Sequence, residues 1–407
     1  MSVSRKLRPQ SLTLNAFPLD NFPNQERRLM KIHFNGCEKP TIGVEVELQI
    51  IDPETKDLVS GAPEILKSMP DSHGHVKPEL IQSTIELNTG ICADVSEVRK
   101  DLSAKLKDLL MVCDKLGYEL ASAGTHPFSK WPDQKITPEE RYYKLVDRCQ
   151  WPARRLMIFG LHVHIGVATG EKAIAVFNAL SNYLPHLLSI SASSPFFDGR
   201  DTGLASTRVK IFETLPTAGL PYRMLNWAEF QRFMITLVNA KAIASIREVW
   251  WDLRPHPDFG TIELRVCDGL PSIDNIVAVA ALIQALVVWL GTKYDEGEYL
   301  PVHRYWILRE NKWRAARWAT DAEIIIDEEG NLTPMDEEIM QLISNLSPVA
   351  KELGSYEELL SINEILKDGP SFKRQRAVFD ETGDHRTVIE NLVHELRDGI
   401  MSAEGKA

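Results

Sequence analysis

Three short stretches of this 407-residue chain alternate apolar and polar residues, and in each the polar set carries carboxylates, imidazoles or a guanidinium. In Thr41–Ile51 (TIGVEVELQII), Val44, Val46, Leu48 and Ile50 have one parity and Glu45, Glu47 and Gln49 the other. In Leu161–Val167 the apolar Leu161, Val163, Ile165 and Val167 oppose His162, His164 and Gly166. In Thr261–Val266 the apolar Ile262, Leu264 and Val266 oppose Glu263 and Arg265. Successive side chains on a strand point to opposite faces, so each stretch is predicted to be a strand with one dry face and one charged face. Any one of them could be a solvated outer strand. Three together predict a single sheet, packed by helices on its apolar side and lining a polar, cation-holding cavity on the other.

The residue types on the charged face have chemistry in common. Two carboxylates two positions apart on a strand repel unless a cation sits between them, which makes Glu45 and Glu47 candidates for a hard-metal site. Two imidazoles at the same spacing suit a metal or a phosphate. The segment Lys77–Asn88 adds Glu86, with the parity of Gln82, Thr84 and Asn88 and opposed to Ile81, Ile85 and Leu87. Glu79 has the other parity and joins that face only if the chain bends after Pro78.

With 44% hydrophobic residues the chain can bury a large core, and its net charge of -11 argues against a nucleic-acid partner. Small ligands are expected. The five cysteines (Cys37, Cys92, Cys113, Cys149, Cys267) are scattered, with no C-x-x-C pair, which predicts a cytoplasmic protein without disulfides or a cysteine zinc site. The apolar run Ile276–Leu290 is shorter than the roughly 20 residues a membrane span needs and is predicted to be a buried helix, with no membrane association.

The charged strands are spread from 41 to 267 and must converge, so one catalytic domain over 39–398 is expected, preceded by an extension over 1–38 and followed by a tail over 399–407. Asp94 with Glu97 predicts a capped helix carrying Val95, Val98, Leu102, Leu106, Leu109, Val112 and Leu116 on one side. A second helix is predicted from about Lys172 to Ile190 with a kink at Pro185, a hairpin turn at Glu328–Asn331, and a closing helix over Thr387–Arg397 ended by Gly399. The Gly- and Pro-rich stretch Ser193–Arg223, which holds Arg200 and Arg208, is expected to be a functional loop.

Carboxylates with one or two histidines and no cysteine suit Mg²⁺ or Mn²⁺, and hard cations beside arginines can bind polyphosphate. There is neither a G-x-x-x-x-G-K-[ST] nor a G-x-G-x-x-G motif, so a bound nucleotide would use neither a P-loop nor a Rossmann turn. The strand G-V-E-V-E-L, the segment P-E-L-I-Q-S-T-I-E, the strand G-L-H-V-H, and then S-P-F-F-D-G-R-D-T-G, P-T-A-G-L-P, W-W-D-L-R-P and G-T-I-E-L-R-V-C-D follow one another along the chain. In this series the chain resembles the glutamate-cysteine ligase type 2 family of ATP-dependent carboxylate-amine ligases, from about Thr41 to Arg397. More distantly, it is similar to glutamine synthetase.

The resemblance implies an α+β fold, a glutamine-synthetase-like catalytic domain whose mostly antiparallel sheet has helices on one face and the active site on the other. It implies an ATP-dependent reaction through an acyl phosphate, with small carboxylate and amine substrates and weak glutamate–cysteine ligase activity. By motif position it implies a metal shell of Glu45, Glu47, Glu79, Glu86, His162 and Glu263 for Mg²⁺ or Mn²⁺. His164 would stand just outside it or touch phosphate, and Arg265 would face the transferring phosphoryl group. Arg254 and Arg200 would contact nucleotide or substrate. Where many members of that family carry a third glutamate in the first strand, this chain has Val46 on the apolar parity. A homodimer or higher homo-oligomer is the expected assembly. The rival readings of the same residues are a binuclear metal-dependent amide hydrolase, which would need no nucleotide, and a metal- or nucleotide-binding relative that has lost turnover.

Overall fold

The alternating stretches become neighbours in one seven-stranded sheet in which every pairing is antiparallel. The computed structural model describes residues 32–69, 72 and 74–404, with backbone alone for 400–404. Across the sheet the order is Val76–Pro78, Thr84–Asn88, Ile42–Ile51, Leu161–Gly166, Thr261–Leu264 and Leu253–His256, with Glu119–Ala121 pairing on the far end of Ile42–Ile51. Both outer strands contain a proline, Pro78 and Pro255. Proline has no N–H to give to a ladder and belongs on an edge.

One face of the sheet is dry. Val44, Val46, Leu48, Ile50, Val163, Ile165, Ile262 and Leu264 are each at most 2% exposed. The helices Val95–Leu116, Gly170–Leu180 and Ile273–Asp295 cover this side. Each buried Ile or Leu contributes roughly 1.5–3 kcal/mol, so this layer is the main reason the strands stay in register. Asp94 caps the first of these helices by accepting from Glu97 N at 2.9 Å, and Gly117 (φ 76) ends it in the left-handed region.

Several local expectations are corrected. The apolar run at 276–290 is buried in a helix as expected, but that helix, Ile273–Asp295, is longer than the run. That helix and the helical stretch Gly170–Ser191 are both long and apolar enough to cross a membrane, but 78% and 83% of their apolar windows are buried inside the fold. No kink forms at Pro185: the helix stops at Leu180, a 3₁₀ turn follows, and Pro185 sits in the first turn of Leu184–Ser191, where its missing N–H costs nothing. Gly399 does not end the last helix, which runs His385–Glu404; a Cβ there would lie 3.2 Å from Ile273 N, so the glycine allows a close helix approach. The stretch 193–223 is not a bare loop but holds the hairpin Phe196–Phe197/Arg200–Asp201 and the helix Thr207–Phe212.

Of the expected N-terminal extension, residues 1–31 lie outside the described residues. His33–Ala407 forms one unit, and it begins before residue 39: Asn35 N and Cys37 N donate to Pro257 O and Val167 O at 2.9 and 3.0 Å.

Candidate active site

Sheet register assembles the site. Glu47 lies opposite Glu86, Glu45 opposite His162, His164 opposite Glu263, and Glu263 opposite Arg254. Residues directly opposite in an antiparallel pair share a face with Cβ atoms about 4.5–5.5 Å apart. Five strands therefore contribute one charged row, which floors a cavity of about 950 Å³ on the side away from the helices. Glu79 reaches it through a reversal of the chain. It follows the edge strand Val76–Pro78, and the chain turns over residues 79–83 before Thr84–Asn88 runs back antiparallel.

The carboxylates fall into two sets. Donor atoms of Glu47, Glu79 and Glu86 lie within 4.8 Å of one another, and so do those of Glu45, His164 and Glu263. His164 Nδ1 is 3.0 Å from Thr261 Oγ1, and its Nε2 faces Glu45 Oε1 at 3.7 Å and Glu263 Oε1 at 3.8 Å. His162 stands beside this set, its Nδ1 3.3 Å from Glu45 Oε2 and its Nε2 buried without a hydrogen-bond partner. The geometry thus places His164 closer to the centre of its set than the sequence motif suggested, with His162 reaching it through Glu45.

The two sets differ electrically. Burial pushes Glu79 well above the usual carboxylate range, and the charges of Glu86 and Glu47 push it further. Burial raises Glu86, with Glu45 adding to it, and burial raises Glu47 despite Arg208 nearby. This set holds more negative charge than its surroundings neutralise. In the other set burial also disfavours charge on Glu263, but Arg254 and Arg265 outweigh it and hold the group well below its ordinary value. Burial and the Arg265 charge lower His162 to about 4, so it is neutral at physiological pH. Three crowded carboxylates that Lys77, 3.5 Å from Glu86, and the nearby Arg208 only partly offset, beside a set of two carboxylates and an imidazole and no thiolate, fit hard divalent cations.

The arginines separate into different roles. Arg254 is spent internally: Nε and Nη2 hold Glu263, and Nη1 donates to Ile246 O and Val249 O. Arg265, at the cavity wall, bonds Glu263 through Nη1, and its Nε is buried without a partner. Arg200 is not at the cavity at all; it is exposed on its hairpin. The cavity arginine from that stretch is Arg208, 2% exposed, with Nη1 and Nη2 on Arg265 O at 3.3 Å and a buried, unpartnered Nε. No periodic signal marks it, because its helix is six residues long. His256 and the strand that carries it were also missed, although L-R-P-H alternates and a two-residue period would have put His256 beside Arg254. Phe259 stacks on His256 at 4.1 Å at the same wall. Lys373, Arg374 and Arg376 lie away from the cavity, paired with Asp321, Glu395 and Asp201.

Comparison with known proteins shows the family and the fold. The profile described as glutamate-cysteine ligase family 2 matches residues 41–393. A protein of Thermobifida fusca named "Putative glutamate--cysteine ligase 2" is 46% identical over 385 residues, covering 93% of this chain and 96% of the relative. A Gloeobacter violaceus protein of the same name is 43% identical over 366 residues, covering 89% and 98%. Among solved structures, the glutamate–cysteine ligase of Francisella tularensis in complex with AMP aligns with TM-score 0.64 at 11% identity, over 91% of this chain and 90% of that one. A bifunctional glutathione synthetase from Pasteurella multocida aligns with TM-score 0.65 at 14% identity, over 90% and 53%. At such identities the likeness is one of fold.

Proposed function

The chain belongs to glutamate-cysteine ligase family 2, and on that premise we propose that its cavity joins a carboxylate to an amine as an amide, converting ATP to ADP and phosphate. A bare carboxylate is a poor acylating agent. An oxygen of the acid's side-chain carboxylate attacks the γ-phosphorus of ATP, the bond to the bridging oxygen breaks, and ADP leaves an acyl phosphate behind. The amine nitrogen then bonds to the acyl carbon, loses a proton, and displaces inorganic phosphate. Holding both reactants in one cavity supplies much of the acceleration through proximity.

The residues divide this work by position. Glu47, Glu79 and Glu86 in one set, and Glu45, His164 and Glu263 with His162 alongside in the other, would hold Mg²⁺ or Mn²⁺. Bound there, a hard divalent cation neutralises phosphate oxygens so that two anions can approach. Arg265 lines the cavity with one nitrogen on Glu263, and its guanidinium offers the planar fork suited to a transferring phosphoryl group. Arg254 would orient Glu263, its nitrogens being taken up by that carboxylate and two backbone carbonyls. The observation that carries the reading is the pairing of two three-donor sets with Arg265 in one cavity.

The acid and amine proposed are L-glutamate and L-cysteine, joined weakly to γ-glutamylcysteine. The setting proposed is the cytoplasm, which the five free cysteines suit. The test is to incubate the protein with ATP, Mg²⁺, glutamate and a panel of amines and to measure ADP. The ligase reading requires ADP release that depends on both acid and amine; release that ignores both would favour an amide hydrolase with incidental nucleotide turnover.

A further inference from the structure

The outer wall of the cavity carries two cations that the reaction above does not use. Lys241 and Arg247 come from the segment between the helix Trp227–Asn239 and the edge strand Leu253–His256, and both line the cavity. Other cations on this wall are committed: Lys144 to Glu140 at 2.7 Å, and Arg148 to Glu248 at 2.6 Å. Among the described residues, neither Lys241 nor Arg247 has an ion pair or a side-chain hydrogen bond.

The backbone holds Lys241 in place against its own preference. It sits at φ 56, just past the helix end, where its N–H donates to Val238 O at 3.0 Å and that of Ala242 donates to Leu237 O at 2.9 Å. This double closure favours glycine at the left-handed position, and any other residue there is strained. A lysine kept at that point, with its side chain on a cavity, is an outlier of the kind that goes with function. Arg247 lies on the 3₁₀ turn Ile246–Glu248, whose carbonyl Ile246 O, with Val249 O, is gripped by Arg254 Nη1. The rim is thereby tied to Glu263.

We propose that Lys241 and Arg247 form a seat for the free α-carboxylate of an amino-acid substrate, and so select amino acids over substrates that lack that group. The polyphosphate needs the buried donor sets and Arg265, whereas two exposed, unpaired cations at the rim suit one solvated carboxylate on the far end of a substrate. The seat rests on the ligase reading, and either the acid or the amine could supply the carboxylate.

The experiment measures ADP formation by wild type, Lys241→Gly, Arg247→Ala and the double variant. KM is measured for ATP, for glutamate against 4-aminobutanoate, and for cysteine against cysteamine, the second of each pair lacking the α-carboxylate. In the variants KM for the seated amino acid rises about tenfold or more while kcat changes little, and the preference over its decarboxylated analogue collapses. Which pair responds identifies the source of the carboxylate. Lys241→Arg restores the preference, and Lys241→Gly raises the melting temperature because the strain is relieved. A KM change confined to ATP, or a preference untouched in the double variant, overturns the seat. A wild-type protein whose ADP release ignores acid and amine overturns the ligase reading itself.

Discussion

Arg254 grips Glu263 with two nitrogens on one oxygen, Nε at 2.8 Å and Nη2 at 2.6 Å from Oε2, while Arg265 takes Oε1. Both partners are buried, Arg254 at 5% and Glu263 at 1% exposed. Removing one member of a buried pair costs roughly 3–5 kcal/mol, and Arg265, which stays on Glu263, holds the loss to the low end. Arg254→Ala therefore lowers unfolding free energy by about 3 kcal/mol and frees the carbonyls of Ile246 and Val249 at the rim. Arg254→Lys does not rescue it, because an ammonium cannot reach carboxylate and carbonyls together. Urea unfolding of both variants decides this; a lysine variant as stable as wild type would refute the fork geometry.

In the neighbouring donor set the sign is opposite. Glu79 is pushed well above the carboxylate range by burial and by Glu86 and Glu47, so losing its charge relieves the protein when no metal is bound. Glu79→Gln is expected to raise the melting temperature of metal-free protein by about 2 °C or more. The same change should cut Mg²⁺-dependent ADP formation on the order of a hundredfold. Thermal unfolding with and without Mg²⁺ reads both effects, and a lower metal-free melting temperature would contradict the crowding.

These two residues also show how much of the site the sequence made visible. Glu45, Glu47, His162, His164 and Glu263 could be found because a strand's two-residue period sorts its faces without reference to the rest of the fold. Glu79 needed a chain reversal that Pro78 only hinted at, and it arrived on the charged face through pairing with a strand not yet formed in a linear reading. The choice between Arg200 and Arg208 was open to tertiary structure alone: one lies inside the motif S-P-F-F-D-G-R-D-T-G and the other just after it, yet the first ends on an exposed hairpin and the second is buried at the cavity. The strand Leu253–His256 was hidden because Pro255 reads as a turn until its edge position is known. The helix limits at 180 and 404 were misjudged because they depend on packing partners rather than on local residue choice.

His126 gives the fold a pH dependence away from the cavity. Its Nδ1 accepts from Phe128 N and Ser129 N at 3.3 and 3.0 Å, and Nε2 faces Lys56 O at 3.0 Å, a set that only the neutral ring with its proton on Nε2 satisfies. Burial lowers it from 6.5 to about 4. Between those values the unfolded chain binds the proton and the folded one does not, so this contribution is complete above about pH 6.5 and is lost as pH falls toward 4, by about 3 kcal/mol. His186, also buried and lowered to about 4, adds in the same direction. Urea midpoints at pH 7 and 4.5 should converge more closely for His126→Gln than for wild type. An unchanged difference would show that the ring takes no part.

Gly160 sets the distance between Arg208 and Glu47. Its N–H donates to the Glu47 carboxylate, and a Cβ on it would lie 2.2 Å from Arg208 Nη2 and 2.8 Å from Cζ. The guanidinium has no easy retreat, since it is buried and held to the carbonyls of Arg265 and Val266. Gly160→Ala is therefore expected to cost roughly 1–3 kcal/mol by overpacking. It should also move the positive charge away from Glu47, so that more Mg²⁺ is needed for half-maximal ADP formation. Arg208→Lys in the Gly160→Ala background, with a slimmer head group, should recover stability but not the Mg²⁺ dependence. If Gly160→Ala unfolds at the wild-type temperature with the wild-type Mg²⁺ requirement, the close approach of Arg208 is not what keeps Glu47 ready for a cation.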